Sequence, residues 1–449
     1  MSEDALSLLN ADTGERVAEF YGYALHDEFL TPTATWQFDT GERETIARLR
    51  QTLKPGTFVQ AALNGVPHCT GPIDKRPTKS SRGGTSMSVA GRDALGIAVD
   101  ACVDPTLVFT PGTTMGDVFQ QIFGPLGFSR LSTTDIFNRL AMSGKNPASG
   151  SQRVIQAAQS IPNYKIDIVG PQERYVPDGT FTTVPAVTEI YDPTAPKSIK
   201  TLTLDQFKPT PGEGTFEFWS RLVKRFALWT WCSGDGSTLI VDAPNFDQAP
   251  SYSIVRRLGG LGNNVEDGED DIDGSEQPSV IIATGYGGGG FRDRVTLKVA
   301  MVNELVGCDA NGHILSAVQQ TIDRFPGIHV LPIRQRLIDL GLPSRFNHTR
   351  SRPRYLHDDE SRNQGQLEAF VQRQMAEHQR RALPLKYTLD GHSQNGRAFV
   401  VNATASVQDD VLGISGTYWI MGRELTRGRD KPSHTTLSLI PPYCLDLVA

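Results

Sequence analysis

The chain has no stretch approaching the ~18 consecutive apolar residues that a membrane-spanning helix needs, and its mean hydropathy is −0.30. No membrane span is expected. It is short of positive charge for a nucleic-acid binder: 44 Lys and Arg stand against 50 Asp and Glu, a formal net charge of −6. Proteins that grip phosphates are usually basic, at least locally, so stable DNA or RNA binding is a poor fit. Cysteine is sparse and scattered, at Cys69, Cys102, Cys232, Cys308 and Cys444, with no CxxC. An odd, dispersed set is not a disulfide framework, and five free, mostly buried thiols in a protein made in a reducing cytosol are expected. The opening MSEDALSLLNADTGERVAEF is acidic and lacks an apolar run, unlike a signal or transit peptide.

The familiar catalytic signatures are missing too. There is no GxSxG or SxxK for acyl transfer, and no HExxH or zinc-spaced histidine pair among His26, His68, His313, His329, His348, His357, His378, His392 and His434. The adjacent pair His68-Cys69 has no second pair to complete a metal site. Gly285–Gly290 formally matches GxGxxG, but FRDRVTLKVAM follows it with strand-like alternation. A dinucleotide site needs a helix there, so a Gly-rich loop between two strands is expected. The acidic run at 263–276 offers Glu269, Asp271, Asp273 and Gly274 as the start of a calcium loop. Val280 then stands where a bidentate Glu is required, and a mobile loop is expected instead. Arg345, Arg350, Arg352 and Arg354 could touch phosphate, but a solvated linker or protein interface suits 345–354 better. Asp and Glu are plentiful, yet nothing singles out a glycosidase pair. No catalytic, cofactor-binding or metal-binding residue is proposed from the sequence.

What is present is punctuation. With 449 residues the chain has room for two to four domains, and its 43 Gly and 28 Pro are spread throughout. This suits a β-rich chain with many turns. Strands are expected at 33–40, at 57–63 before the Asn64-Gly65 turn, and at 85–90. Leu95, Ala98, Val99 and Cys102 fall on one helical face. Thr113 or Thr114 can cap a short helix whose stripe is Met115, Val118, Phe119 and Ile122, stopped by Gly124-Pro125. Residues 141–152 read as an exposed loop, and 166–200 as Pro-punctuated and β-like. Residues 211–244 form the clearest unit: a helix with Phe216, Trp219, Leu222, Val223 and Phe226 at helical spacing, then a hairpin turning at Asp235-Gly236. A helix is expected at HILSAVQQTIDRF and a strand at IHVLPI. Asp358–Arg381 is the longest helical candidate, with acids at its start, Arg380-Arg381 at its end and a stripe of Leu367, Phe370, Val371 and Met375. From Leu385 to Leu445 at least four strands follow. One β-rich module before residue 104 is loosely echoed by another after 384.

Four of these stretches, in this order, carry a resemblance: SMSVAGRDALGIAVDACV at 86–103, TPGTTMGDVFQQIFGPLGF at 110–128, PGEGTFEFWSRLVKRFALWTWCSGDGSTLIVDAP at 211–244, and the strand series from LKYTLDG to TTLSLIPP. Together they resemble the baseplate hub proteins of contractile phage tails, the Mu-like hub and late-control protein family. Residues 129–205 are longer than that pattern suggests, as though holding an insertion, and 263–290 departs from it.

The resemblance implies an α+β, β-rich fold with two tail-tube-like β-barrel domains plus small α+β domains. It divides the chain into a first barrel at 1–104, a small α+β domain at 105–210, a helix-plus-hairpin module at 211–248, a β-rich part of the second barrel at 249–357, and a long helix with closing strands at 358–449. It implies a homotrimer forming a pseudo-hexameric ring in the virion baseplate, assembled in the host cytoplasm. The ring would join the tail tube protein above to the central spike protein below. Baseplate wedge and tape measure proteins would be neighbours, phage DNA would pass without specific binding, and no membrane binding, cofactor or enzymatic activity is implied. The rival readings are a baseplate-associated peptidoglycan hydrolase, a hub of a type VI secretion or other tail-like device, and a carbohydrate-binding module.

Overall fold

The computed structural model describes residues 5–143, 207–287 and 296–444, apart from single positions and short stretches within these ranges, and four strands by their backbone between 144 and 206. The molecule is β-rich, with small helices between the sheets.

The N-terminal strands form where apolar and polar residues alternate. In Thr35–Thr40, Trp36, Phe38 and Thr40 point inward while Thr35 and Gln37 face solvent. Phe58–Leu63 turns at Asn64-Gly65 into Val66–Lys75. Both turn residues have positive φ, 51° and 80°, the conformation a two-residue hairpin requires. At the other end of the chain, Leu385–Asp390, Ala403–Asp409, Ile414–Arg427 and Ser433–Ile440 build a second set of strands. The two sets join into one fourteen-stranded sheet. The 14-residue strand Ile414–Arg427 makes the join. Its first half pairs with Ala403–Asp409, and its second half, from Gly422 to Arg427, pairs antiparallel with Gly22–Glu28. A bulge between Ile420 and Gly422 marks the changeover. The Met421 carbonyl there accepts from the Phe29 amide at 2.8 Å. One apolar core, including Leu25, Phe38, Ile420, Leu425 and Leu437, runs under both sets. Among the described residues the strands run as an open path rather than a closed barrel.

Between the two sets lies a five-stranded sheet ordered Lys165–Val169, Val187–Tyr191, Arg130–Ser132, Thr238–Asp242, Trp229–Cys232. Residues 129–205 therefore contribute its central strand and two others. Helices Met115–Ile122 and Thr215–Lys224 share its core, with Phe119, Phe123 and Trp219 packed ring against ring and Phe218 against Phe109 and Phe207. Thr114 caps the first helix through a reciprocal box with Asp117, as its sequence predicts. A four-stranded sheet ordered His329–Val330, Thr296–Val302, Val280–Tyr286, Pro353–Asp358 carries the long helix Gln364–Ala382 on Leu367, Val371 and Met375.

Several expectations need correction. The helix after Arg92 is only Leu95–Asp100: Ala101 is extended, Cys102 bridges to Gly214, and both Cys102 and Val99 are exposed. In Thr215–Lys224, Phe218 fills the core in place of Phe216, which is only partly buried against it. The long helix starts at Gln364, not Asp358, because Asn363 caps it through the Gln366 amide and Asp358 ends a strand. Part of the 345–354 linker is structured: Pro353 and Arg354 open a strand parallel to Val280–Gly285. The acidic run is not wholly a loop, since Val265–Asp270 pairs with Leu385–Asp390. Residues 141–143 end the helix Ile136–Ser143, and 144–152 lie outside the described residues. Ser316–Ile322 is helical as expected, but only His329–Val330 of IHVLPI is a strand. The Gly-rich segment does join two antiparallel strands, with Gly288–Gly290 outside the described residues.

Candidate interaction surfaces

Three polar constellations stand out, and each draws on residues far apart in the chain. The first is buried where the two strand sets and the middle sheet meet. Arg423, on the joining strand, is 2% exposed. Its Nε and Nη2 donate to Asp27 Oδ2 at 3.2 and 3.0 Å, and its Nη1 meets His68 Nδ1 at 2.9 Å and the Phe399 carbonyl. Asp93 accepts from the Ala34 amide at 3.0 Å. Asp135 accepts from Trp231 Nε1 at 3.0 Å and from the Asn138 amide at 3.0 Å. Asp27, His68, Cys69, Asp93, Asp135 and Cys232 border a cavity of about 30 Å³, room for a water molecule.

Burial dominates the electrostatics there. It pushes the Asp93 carboxyl up to about 7 and Asp135 up to about 6. It holds His68 well below its ordinary value, helped by the Arg423 charge, and drives the Cys69 and Cys232 thiols well up. Thiols kept protonated are poor nucleophiles. The constellation is suited to locking modules together rather than to attacking a substrate.

The second constellation lies on the surface. Glu266, Asp390 and His434 sit on three neighbouring strands with their ligand atoms within 4.8 Å of one another, and His434 Nδ1 is 2.8 Å from Glu266 Oε2. Glu266 lies at a bulge between Val265 and Asp267. Burial and the adjacent Asp390 push its carboxyl upward.

The third is a groove of about 500 Å³ between helices Thr215–Lys224 and Gln364–Ala382, walled by Phe216 and Phe370 and holding Lys224 and Arg373. The turn after the strand Tyr252–Arg256 projects Leu258 and Leu261, 79% and 81% exposed. The turn is not slack: Asn263 and Asn264 side chains bind backbone amides and carbonyls at Arg257, Val255 and Ser253.

The residues weighed from sequence are otherwise dispersed. Arg352 donates to the Gly274 and Ser275 carbonyls, and Arg354 contacts His378, so neither is poised for phosphate; Arg345 and Arg350 lie outside the described residues. The five cysteines are free. Sequence reasoning missed Arg423, Asp27, Asp93 and Arg373. The only signal was Gly91-Arg92-Asp93, where Gly91 and Arg92 close the strand Gly84–Arg92 and nothing in the sequence marks the burial of the Asp93 carboxylate.

No family model and no curated protein sequence matches the chain. Solved structures do. A tail protein from Neisseria meningitidis MC58 superposes with a TM-score of 0.64 at 17% identity, covering 99% of both chains. The 43 kDa tail protein of prophage MuSo2 from Shewanella oneidensis superposes with a TM-score of 0.62 at 14% identity, again covering 99% of both. The chain has, over its whole length, the fold of these phage tail proteins.

Proposed function

We propose that this chain is a structural tail protein, the central baseplate hub of a contractile phage tail. The observation that carries the reading is the end-to-end fold match with two phage tail proteins. In this reading the protein is a homotrimer whose two strand sets, repeated three times, form a ring with a sixfold-like face for the tail tube and a threefold face for the central spike. DNA passes through the middle. The joining strand supports this role, because it fixes the two sets at one mutual register through residues 22–28 and 422–427. The exposed Leu258 and Leu261 on a braced turn support an assembly role as well, since well-ordered apolar tips in water are commonly covered by partners.

Electron microscopy of the purified protein, alone and mixed with its spike, tests the reading. A threefold ring with a central pore is expected. A compact monomer that stays monomeric with spike present, or clear peptidoglycan cleavage by the purified chain, would overturn it.

A further inference from the structure

One end of the fourteen-stranded sheet gathers two carboxylates and an imidazole. Asp390 and His434 are direct partners on the antiparallel strands Leu385–Asp390 and Ser433–Ile440. Glu266 comes from Val265–Asp270, the strand that ends the sheet. Val265 pairs with Leu389 and Asp267 with Thr388, so Glu266 is the extra residue of the bulge and takes no place on the ladder. Its side chain instead reaches His434, whose Nδ1 lies 2.8 Å from Glu266 Oε2 and 3.9 Å from Asp390 Oδ1. All three potential ligand atoms lie within 4.8 Å of one another. A second observation is independent of this clustering. His434 Nδ1 is shut off from solvent and, short as its contact with Glu266 is, it is not aligned for a hydrogen bond to any described residue. Its lone pair is therefore unspent, next to two carboxylate oxygens. Lys386, on the same strand as Asp390, is already paired with Glu269 at 3.8 Å.

We propose that Glu266, Asp390 and His434 bind a divalent transition-metal ion of the zinc class, through one oxygen of each carboxylate and Nδ1 of the imidazole. Zinc holds nitrogen and oxygen ligands at about 2.0–2.2 Å in a tetrahedron, which sets the ligand atoms about 3.4 Å apart. The observed separations of 2.8 and 3.9 Å straddle that spacing, so small side-chain rotations complete the site. An imidazole beside two carboxylates suits such an ion better than magnesium or calcium, which take oxygen ligands. The two carboxylates balance the charge of the ion, and water takes the fourth position. Each ligand lies on a different strand, so the ion clips Val265–Asp270 to its two neighbours at the end of the sheet. The proposal does not depend on the tail-assembly reading.

The test strips the full chain of metal with a chelator, exchanges the chelator away, and titrates zinc chloride by calorimetry, with magnesium chloride as a second titrant. A saturable zinc event in the micromolar range is expected, with no comparable magnesium event. His434→Gln and Asp390→Asn should each weaken zinc binding by about tenfold or more, since even outer partners of a metal site are worth that much. Zinc should also raise the unfolding midpoint of the native chain and leave that of His434→Gln where it stands. If His434→Gln does not fold, Asp390→Asn, at an exposed position, carries the comparison. No saturation at millimolar zinc overturns the proposal. So does equal affinity in the native chain and the variants, which would place the zinc on the exposed Cys102 thiol or another histidine. Magnesium binding as tight as zinc overturns it too, because a general acidic patch would then attract any divalent cation.

Discussion

Arg423 shows how much one side chain can hold when it is buried with partners. Its fork ties Asp27, His68 and the Phe399 carbonyl, which come from three separate regions of the chain. Removing one member of a buried ion pair strands the other, at a cost of about 3–5 kcal/mol. Arg423→Ala should therefore lose about that much stability by denaturant unfolding, with Asp27→Asn losing less because the amide oxygen still accepts. Asp93 makes the opposite kind of contribution. Unfolded, it releases its proton near pH 4; folded, only at about 7. Between those values the folded chain binds the extra proton, so this group's contribution to stability falls as pH rises and levels off above 7. His68 works in the other direction: kept neutral in the fold, it lowers stability as pH drops below its unfolded value of about 6.5. Asp93→Asn isolates the first effect. Its unfolding midpoint, measured against the native chain, should improve from pH 5 to about pH 7 and level off above that, and a constant difference would count against a raised carboxyl.

At the scale of elements, the contacts between modules are backbone contacts as much as side-chain ones. Gly234, in the hairpin between Trp229–Cys232 and Thr238–Asp242, lies so close to the first strand set that a Cβ there would stand 2.2 Å from the Pro67 carbonyl oxygen. The Thr70 hydroxyl donates to the Gly234 carbonyl at 2.7 Å and completes the clasp. Gly234→Ala should cost about 1–3 kcal/mol or more, because the obstacle is backbone and cannot swing aside; thermal unfolding reads it directly. Thr114→Ala, which removes one half of a capping box on an exposed helix start, should cost only about 1 kcal/mol. Elements defined by local pattern were the readable ones. The Asn64-Gly65 hairpin, the Thr114 cap and the four C-terminal strands all follow from residues within a few positions of each other. The helix face shared by Leu95, Ala98, Val99 and Cys102 did not survive, because pairing with Gly214 draws Cys102 into a bridge. The long helix lost its expected acidic start for a related reason: Asp358 completes a strand whose partner lies more than seventy residues earlier.

For the whole molecule, the assembly reading makes the braced turn at 257–264 a surface to test. Replacing Leu258 and Leu261 together by serine removes no buried contact, so unfolding stability should stay within about 0.5 kcal/mol of the native chain. If the turn is covered in the tail, sedimentation should show weaker association with itself or with the spike. Unchanged assembly would free the turn from that role. The fourteen-stranded sheet gives the two strand sets a fixed relation within one chain, a sound basis for repeating them around a ring.

The sequence by itself determined the β-rich class, most strands and turns, the capped helix, and the order of features that pointed to tail proteins. Those properties arise from local periodicity and turn chemistry, which leave their mark within a few residues. Only the tertiary structure decided that strand 414–427 passes from one strand set to the other. It also decided that Arg423 meets Asp27 across 396 positions and that the Arg373 guanidinium lies over the Trp229 ring. Such contacts depend on where distant segments come to lie, and burial then sets their charge states; no spacing in a single sequence encodes either.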